Sequence, residues 1–301
     1  MNRRDLLKAA PAALAVLTPR AHAQPTTQRL HRALPRSRES IPAIGMGTWL
    51  TFDVGEERLQ RAQRREVLQR FFAAGGGVID SSPMYGRAQR LLGDLLPDLP
   101  HAGKLFTSTK VWTGFDRIGP RQLEESLRLW RVPRFDLVLV HNLLNWEGHL
   151  KLLRAWKDEG RARYIGVSTS HGRKHDEIQR VMREHPIDAI QITYSLADAS
   201  AEPVLDLAAE RGIAVFINRP FDGGMLFNVV GARALPPWAA EIDCANWAQF
   251  FLKWILGHPA VTCTIPATTR PPHMDENMGA GLGRLPDQAM RRRMSALVER
   301  L

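Results

Sequence analysis

The chain has 301 residues, of which 44% are hydrophobic and 24% are charged, and this is the composition of an ordinary globular protein. Its two cysteines are too few for a disulfide scaffold or a zinc cluster, and no stretch holds the roughly 18 apolar residues of a membrane-spanning helix. Lysine and arginine outnumber aspartate and glutamate by 41 to 31, which gives a net charge of +10. The basic residues are scattered apart from Arg291–Arg293, whose apolar neighbours recur at helical spacing, so we expect a solvated helix face there and no nucleic-acid partner.

The first 23 residues have the order of an export signal. Arg3 and Arg4 precede a weakly apolar stretch, Ala9–Leu17, and Ala21–Ala23 forms an A-x-A cleavage pattern. This order resembles the bacterial twin-arginine signal, which brings folded proteins to the export machinery, and a frayed first helix is the alternative interpretation. We therefore expect a signal peptide at 1–23, a single mature domain at 24–301 and a periplasmic location.

From residue 41 onward, short apolar runs alternate with longer amphipathic runs. The strand-like runs are Ile44–Thr48, Val78–Asp80, Leu105–Val111, Phe135–His141, Tyr164–Ser168, Ala189–Tyr194, Ile213–Asn218 and Val261–Pro266. The helical runs are Glu57–Ala74, Gln89–Leu96, Pro120–Trp130, Leu150–Glu159, Lys174–Glu184, Pro203–Arg211, Asp243–Gly257, Pro272–Met278 and a last one at Pro286–Leu301. Eight strand–helix pairs with near-continuous apolar strands predict an α/β fold, a (β/α)8 TIM barrel, and a doubly wound open sheet is the alternative.

In such a barrel the chemistry lies at the carboxyl ends of the strands. Asp80 ends the second predicted strand, Lys110 the third and His141 the fourth, and Tyr85 follows Asp80 by five residues. Because neighbouring strands are about 4.8 Å apart, we expect these four side chains to meet at one place.

The four residue types suit the reduction of a carbonyl group. A buried lysine needs a counter-charge, and Asp80 supplies it. An ammonium beside a phenol favours the phenolate, so Lys110 should lower the pKa of Tyr85 and make it a better proton donor. His141 would donate a hydrogen bond to the same oxygen. Each residue alone also has a structural explanation, as a turn tyrosine, an ion pair or a core histidine, but their common position at strand ends favours catalysis.

Several motifs, in order along the chain, resemble the aldo-keto reductases. They are Gly45–Trp49, Asp80–Gly86, Thr109–Val111, Val140–Asn142, Ile165–Ser168, Gln191–Ser195, Ile265–Pro266 and Glu276–Asn277. The resemblance covers about residues 40–285. It implies a barrel that uses a nicotinamide cofactor, usually NADPH, without a metal, and that acts on a small-molecule carbonyl substrate.

The resemblance also implies roles for individual residues. Tyr85 would be the general acid, Lys110 and Asp80 the pair that tunes it, and His141 the residue that orients the carbonyl. Ser168 and Gln191 would hold the nicotinamide carboxamide, and Tyr194 would stack on the ring. The full set of cofactor-binding positions is Gly47, Thr48, Trp49, Ser168, Thr169, Gln191, Tyr194, Asn218, Arg219, Thr268, Arg270, Glu276 and Asn277.

The chain departs from the family pattern at three positions near the expected cofactor. Thr169 stands where asparagine is usual, so one carboxamide contact is weakened or replaced. Ala267 and His273 stand where many members have the lysine and arginine that meet the 2′-phosphate of NADPH. Arg270 in the same turn is a substitute, since arginine binds phosphate through two hydrogen bonds. We therefore expect NADPH, with NADH as the alternative.

Two functions are compatible with this site. The first is an NAD(P)H-dependent carbonyl reductase, and the second is a redox-sensing module that retains its cofactor and turns over only incidentally. Large apolar side chains that follow strand ends are expected to form an apolar mouth around the carbonyl. They are Trp49, Phe52, Trp112, Phe115 and Phe221. Arg219 would meet either the cofactor pyrophosphate or an acidic substrate.

Overall fold

The computed structural model describes residues 28–100 and 105–301. The expected export signal at 1–23 lies outside these residues. Ten strands and ten α-helices are present in the described part of the chain. None of its helices is long and apolar enough to cross a membrane.

The core of the fold is a barrel of eight parallel strands that follow one another in chain order. They are β3 (Met46–Gly47), β4 (Val78–Asp80), β5 (Phe106–Val111), β6 (Phe135–His141), β7 (Ala162–Ser168), β8 (Ala189–Thr193), β9 (Ala214–Asn218) and β10 (Val261–Thr264). A parallel bridge between Ile44 and Thr264 joins the first strand to the last and closes the barrel. The fold is therefore the expected (β/α)8 TIM barrel, and the open sheet is excluded.

Helices follow the strands and cover the outside of the barrel. They are α1 (Arg58–Ala73), α2 (Ala88–Leu95), α3 (Gly119–Trp130), α4 (Trp146–Asp158), α5 (His175–Glu184), α6 (Glu202–Arg211), α7 (Met225–Val230), α8 (Trp247–Leu256), α9 (Pro271–Gly279) and α10 (Gln288–Val298). Each helix of the ring presents an apolar face to the barrel, and the strands are buried along almost their whole length.

One end of the barrel is closed by a hairpin that the sequence did not predict. It consists of β1 (His31–Ala33) and β2 (Ser40–Pro42), which pair antiparallel. Leu34 and Ile41 of this hairpin pack against Val78 and Phe106, which begin β4 and β5. The hairpin therefore covers the amino ends of the strands and leaves the carboxyl ends as the open end.

Two further features differ from the sequence analysis. Helix α7 was not predicted, and it forms where Leu226 and Val230 have a core to pack against. Arg291, predicted on a solvated face, is buried and donates hydrogen bonds to the Tyr194 hydroxyl and to Glu202, while Arg292 and Arg293 are exposed.

Candidate active site

A cavity of about 380 Å³ opens at the carboxyl ends of the barrel strands. Its walls come from the carboxyl ends of β3, β4, β6, β7, β8, β9 and β10, either from the strands themselves or from the segments that follow them. Asp80, Tyr85 and His141 all line it, and Lys110 lies directly behind Asp80. The structure therefore brings together the four residues predicted to do chemistry.

The Lys110–Asp80 ion pair is buried at the base of this cavity. Lys110 Nζ lies 2.6 Å from Asp80 Oδ2 and donates a second hydrogen bond, of 2.9 Å, to the Ser81 carbonyl oxygen. The Asp80 carboxylate also accepts hydrogen bonds from Ser108 Oγ at 2.7 Å and from Gln191 Nε2 at 2.9 Å. These donors satisfy both carboxylate oxygens, which a buried charge requires.

Register explains why these side chains meet. Asp80 lies opposite Ser108 on the neighbouring strand, His141 lies opposite Ser168, and Ser168 lies opposite Gln191. Residues in register on adjacent parallel strands project to the same side of the sheet. The polar groups at the strand ends therefore form one continuous layer across five strands.

Tyr85 lies beside this ion pair. Lys110 Nζ is 5.2 Å from the centre of the Tyr85 ring, and the Tyr85 and His141 rings are 6.4 Å apart, nearly perpendicular. Burial raises the pKa of Tyr85 above its ordinary value, and the Lys110 ammonium opposes this only in part. The expectation that Lys110 lowers this pKa is therefore wrong for the net effect, because loss of water around the phenol outweighs the ammonium.

His141 is held in its neutral form. Burial, with help from the charge of Lys110, lowers the pKa of His141 to about 3. Its Nδ1 lies 2.9 Å from Ser168 Oγ, and both side chains are almost completely buried. The other ring nitrogen, Nε2, makes no hydrogen bond within the described residues, and His141 lines the cavity. A neutral imidazole whose Nε2 is unused is suited to contact a ligand oxygen.

The cavity gathers part of the predicted cofactor set. Gly47, Thr48, Trp49, Gln191, Asn218 and Arg219 line it. Thr169 lies just behind the wall, where its carbonyl oxygen accepts a hydrogen bond of 2.8 Å from Asn218 Nδ2. Thr268 and Arg270 lie in the turn between β10 and α9, and Glu276 and Asn277 lie on α9. Their binding roles stay predictions.

Ser168 makes a contact that the sequence did not predict, and Tyr194 lies elsewhere than expected. The Ser168 hydroxyl is hydrogen-bonded to His141 Nδ1, and its contact with a nicotinamide carboxamide stays a prediction. Tyr194 is fully buried on the helix side, where its ring packs on Trp254 at 4.8 Å and its hydroxyl donates to Glu202 at 2.8 Å. The expectation that Tyr194 stacks on a nicotinamide is therefore corrected, because the ring faces the helices and not the cavity.

The predicted apolar mouth is only partly formed. Trp49 and Phe221 line the cavity, together with Phe227 from the unpredicted helix α7. Phe52 is instead a fully buried core residue. Trp112 and Phe115 are exposed on the segment after β5 but do not reach the cavity wall.

Sequence reasoning missed Ser108, which holds the Asp80 carboxylate. Ser108 is two residues before Lys110 on β5, and side chains two apart on a strand share a face, so this spacing was a usable signal. Thr48 was assigned to the cofactor, but its hydroxyl donates to the Asp80 carbonyl oxygen at 3.0 Å and is hydrogen-bonded with the Ser81 hydroxyl at 2.9 Å. It therefore supports the segment that carries Asp80.

The described residues contain no group of three or more histidine, cysteine, aspartate or glutamate side chains arranged to hold a metal ion. Cys244 and Cys263 are both free thiols.

Comparison with known proteins gives the same family over most of the chain. Residues 43–297 match the aldo/keto reductase family. The chain is 26% identical over 294 residues to a protein called probable aldo-keto reductase 1 from Glycine max, covering 83% of this chain and 84% of that one. It is 25% identical over 268 residues to aldo-keto reductase str7 from Strobilurus tenacellus, covering 75% and 78%.

Solved structures share the fold. An aldo/keto reductase from Klebsiella pneumoniae in complex with NADP and acetate superposes with a TM-score of 0.71 at 21% identity, covering 89% of this chain and 95% of that one. The holo form of aldo-keto reductase AKR11C1 from Bacillus halodurans superposes with a TM-score of 0.73 at 18% identity, covering 90% and 96%.

Proposed function

Because the chain belongs to the aldo/keto reductase family, we propose that it is an NAD(P)H-dependent reductase of aldehydes or ketones, with Tyr85 as the general acid. The observation that carries the proposal is the meeting of Tyr85, His141 and the Lys110–Asp80 pair at the base of one cavity. A proton donor, a second hydrogen-bond donor and a buried ammonium at one place suit the stabilisation of an oxygen that becomes negative.

The residues around the cavity fit a nicotinamide dinucleotide at two points. Thr169 Oγ1 is buried and has no hydrogen-bond partner within the described residues, and the amide of a nicotinamide would supply one. Arg219 lines the cavity and is paired only loosely, at 3.7 Å, with Asp222. Its guanidinium would therefore hold the pyrophosphate.

The other end of the dinucleotide would meet the turn after β10. Thr268, Arg270, Glu276 and Asn277 would hold the adenosine, with Arg270 as the partner of a 2′-phosphate. The Klebsiella pneumoniae relative is described in complex with NADP, which supports NADPH as the preferred cofactor. NADH is the alternative, because Ala267 and His273 offer less positive charge than a lysine and an arginine at the same positions.

The dinucleotide, when bound, supplies a hydride to the carbonyl carbon. Tyr85 holds the proton that the carbonyl oxygen needs, because its raised pKa keeps the phenol protonated at neutral pH. Lys110 lies within reach of the phenolate that remains, and its own charge is retained because Asp80 and Tyr85 together outweigh the burial that lowers its pKa. His141 orients the carbonyl from the other side as a neutral donor.

The test is a direct assay. Purified protein with NADPH and a reactive aromatic aldehyde should consume the NADPH, and we expect Tyr85→Phe to slow this by about 10²- to 10⁴-fold. Met84→Leu is a matched control, since Met84 also lines the cavity but carries no proton. A Tyr85→Phe rate equal to that of the parent protein would remove the general acid from the proposal.

The redox-sensing alternative is separated by kinetics. If the cofactor is retained, a single turnover should be much faster than steady-state turnover, because release limits the cycle. Equal rates would favour the reductase.

The export proposal rests on Arg3, Arg4 and the A-x-A pattern at 21–23, and cell fractionation tests it. A periplasmic reductase would need its cofactor to travel inside the folded protein, which analysis of the nucleotide released on denaturation would detect.

A further inference from the structure

We infer that Ser168 is a positioning residue that keeps the proton of the His141 imidazole on Nε2, the nitrogen available to a ligand. The catalytic consequence of this inference rests on the proposed function, but the tautomer itself does not. It gives Ser168 a different role from the carboxamide contact that the family resemblance implies.

The Ser168–His141 pair is buried and held in place by two neighbouring strands. Ser168 Oγ is 2.9 Å from His141 Nδ1, and the two residues lie in register at the ends of β6 and β7. Ser168 is fully buried, and His141 is 2% exposed, so water does not compete for either group. The strands fix both backbones, and within the described residues the Ser168 hydroxyl is the hydrogen-bond partner of His141 Nδ1.

The distances from Ser168 Oγ to its two neighbours indicate which atom donates in the hydrogen bond with His141. If His141 Nδ1 donated, the Ser168 hydroxyl would have to donate elsewhere, and its other neighbour, the Val140 carbonyl oxygen, is 3.5 Å away. That distance is long for a hydroxyl donor, whose hydrogen bonds are usually about 2.7–2.8 Å. The Ser168 hydroxyl therefore donates to Nδ1, and Nε2 carries the imidazole proton.

The neutral state of His141 makes this choice consequential. An imidazolium would donate from both nitrogens, whatever Ser168 did, whereas a neutral ring donates from one. Because the low pKa of His141 keeps it neutral, Ser168 decides whether the cavity meets a donor or an acceptor. Only the donor form aids a carbonyl oxygen that gains negative charge.

The first test is spectroscopic and needs no substrate. Protein labelled with ¹⁵N-histidine should show His141 with Nε2 protonated and Nδ1 unprotonated, its signals being assigned by their loss in His141→Gln. In Ser168→Ala we expect a detectable fraction of the other tautomer, and Ser168→Thr should restore the parent signals. A parent spectrum with the proton on Nδ1, or one that Ser168→Ala does not alter, overturns the inference.

The second test separates this role from a contact with the cofactor. We expect Ser168→Ala to slow the single-turnover reduction step about tenfold, the size of one lost hydrogen bond, while the Kd for NADPH changes less than about twofold. Ser126→Ala is the matched control, because Ser126 is buried and bonded to a backbone oxygen in α3, far from the cavity. A Kd weakened tenfold with an unaltered reduction step would assign Ser168 to the cofactor instead.

The two proposals fail differently. If the parent protein reduces no carbonyl, the proposed function falls, and the histidine spectrum still decides the tautomer. If the spectrum shows the proton on Nδ1 while turnover is normal, only the positioning role of Ser168 is rejected.

Discussion

Each end of the barrel holds a group of ion-paired side chains, and the two groups differ in exposure to solvent and in number of charges. At the open end one lysine meets one carboxylate, Lys110 with Asp80, and both side chains are at most 4% exposed. At the closed end Arg163 lies between two carboxylates, 2.5 Å from Glu39 and 2.7 Å from Asp136, and is 30% exposed. The Tyr164 hydroxyl also donates to Glu39, at 2.7 Å.

This difference indicates what each pair does. Water screens the Arg163 cluster, so its charges need no exact balance, and it joins the closing hairpin to β6 and β7. Lys110 and Asp80 are almost completely buried, so water screens them weakly and each must neutralise the other. The field they produce acts on whatever enters the cavity. We therefore assign the closed end to stability and the open end to chemistry, as is usual in this fold.

Lys110→Met should produce the largest effect. It leaves the Asp80 carboxylate buried without a counter-charge, so we expect the free energy of unfolding to fall by about 3–5 kcal/mol. Carbonyl reduction should fall by about 10²-fold or more, because Tyr85 loses the ammonium that stabilises its phenolate. Urea unfolding and the NADPH assay measure the two effects. A stable, active variant would contradict the division between the two ends.

Protonation of His141 should make stability fall in acid. Its pKa is about 3 in the folded protein and about 6.5 when unfolded, so between these values the unfolded chain binds the extra proton. Above pH 6.5 this group therefore does not change the free energy of unfolding. Below pH 6.5 it lowers the free energy of unfolding by up to about 1.4 kcal/mol per pH unit.

Urea unfolding at pH 7 and pH 5 measures this loss. His141→Gln should show a shallower dependence on pH than the parent protein, while activity of the parent should show no step near pH 6.5. Equal slopes in the two proteins would mean that His141 is not held neutral.

Arg163→Met tests the closed end. We expect a loss of about 1–3 kcal/mol in the free energy of unfolding, since Glu39 and Asp136 keep contact with water once their partner is gone. The kcat and KM for carbonyl reduction should stay within about twofold of the parent values at a temperature where both proteins are folded. A large fall in kcat would show that the two ends are coupled.

Tyr194→Phe should have the smallest effect. It removes the hydroxyl that bonds to Glu202 and Arg291 but keeps the ring against Trp254, so we expect a loss of about 1–2 kcal/mol in stability. Tyr194→Leu removes the ring as well, and the Kd for NADPH should still be unchanged in folded protein. A weaker Kd in Tyr194→Leu would return this residue to the cofactor site.

The barrel and the position of the four central residues could be predicted because each depends on a local pattern. An apolar run that ends in Asp80, Lys110 or His141 predicts where a strand ends. Because the strands are parallel, their carboxyl ends then lie together at one end of the barrel. The hairpin was missed because its two strands have three residues each and one mostly exposed face.

The directions of side chains were harder to predict. Whether a residue at a strand end faces the cavity depends on register, and a shift of one residue reverses it, so Tyr194 was placed wrongly. The burial of Arg291 depends on Tyr194 and Glu202, which are about 90 residues away along the chain, and the pattern around Arg291 carries no sign of them. The net pKa of Tyr85 likewise depends on how much water the finished fold removes, which composition does not give.

The contact of Arg291 with Tyr194 has a consequence for shortened forms of the protein. The arginine belongs to α10, the last helix, and Trp254 of α8 donates to the Arg291 carbonyl oxygen at 3.2 Å. A chain cut ahead of position 291 would keep every side chain that lines the cavity, yet it would remove the cation from Tyr194 and Glu202 and a cover from Trp254. Helix α10 therefore stabilises the outer wall of the barrel through Arg291, and we expect a truncation that removes this residue to weaken that wall.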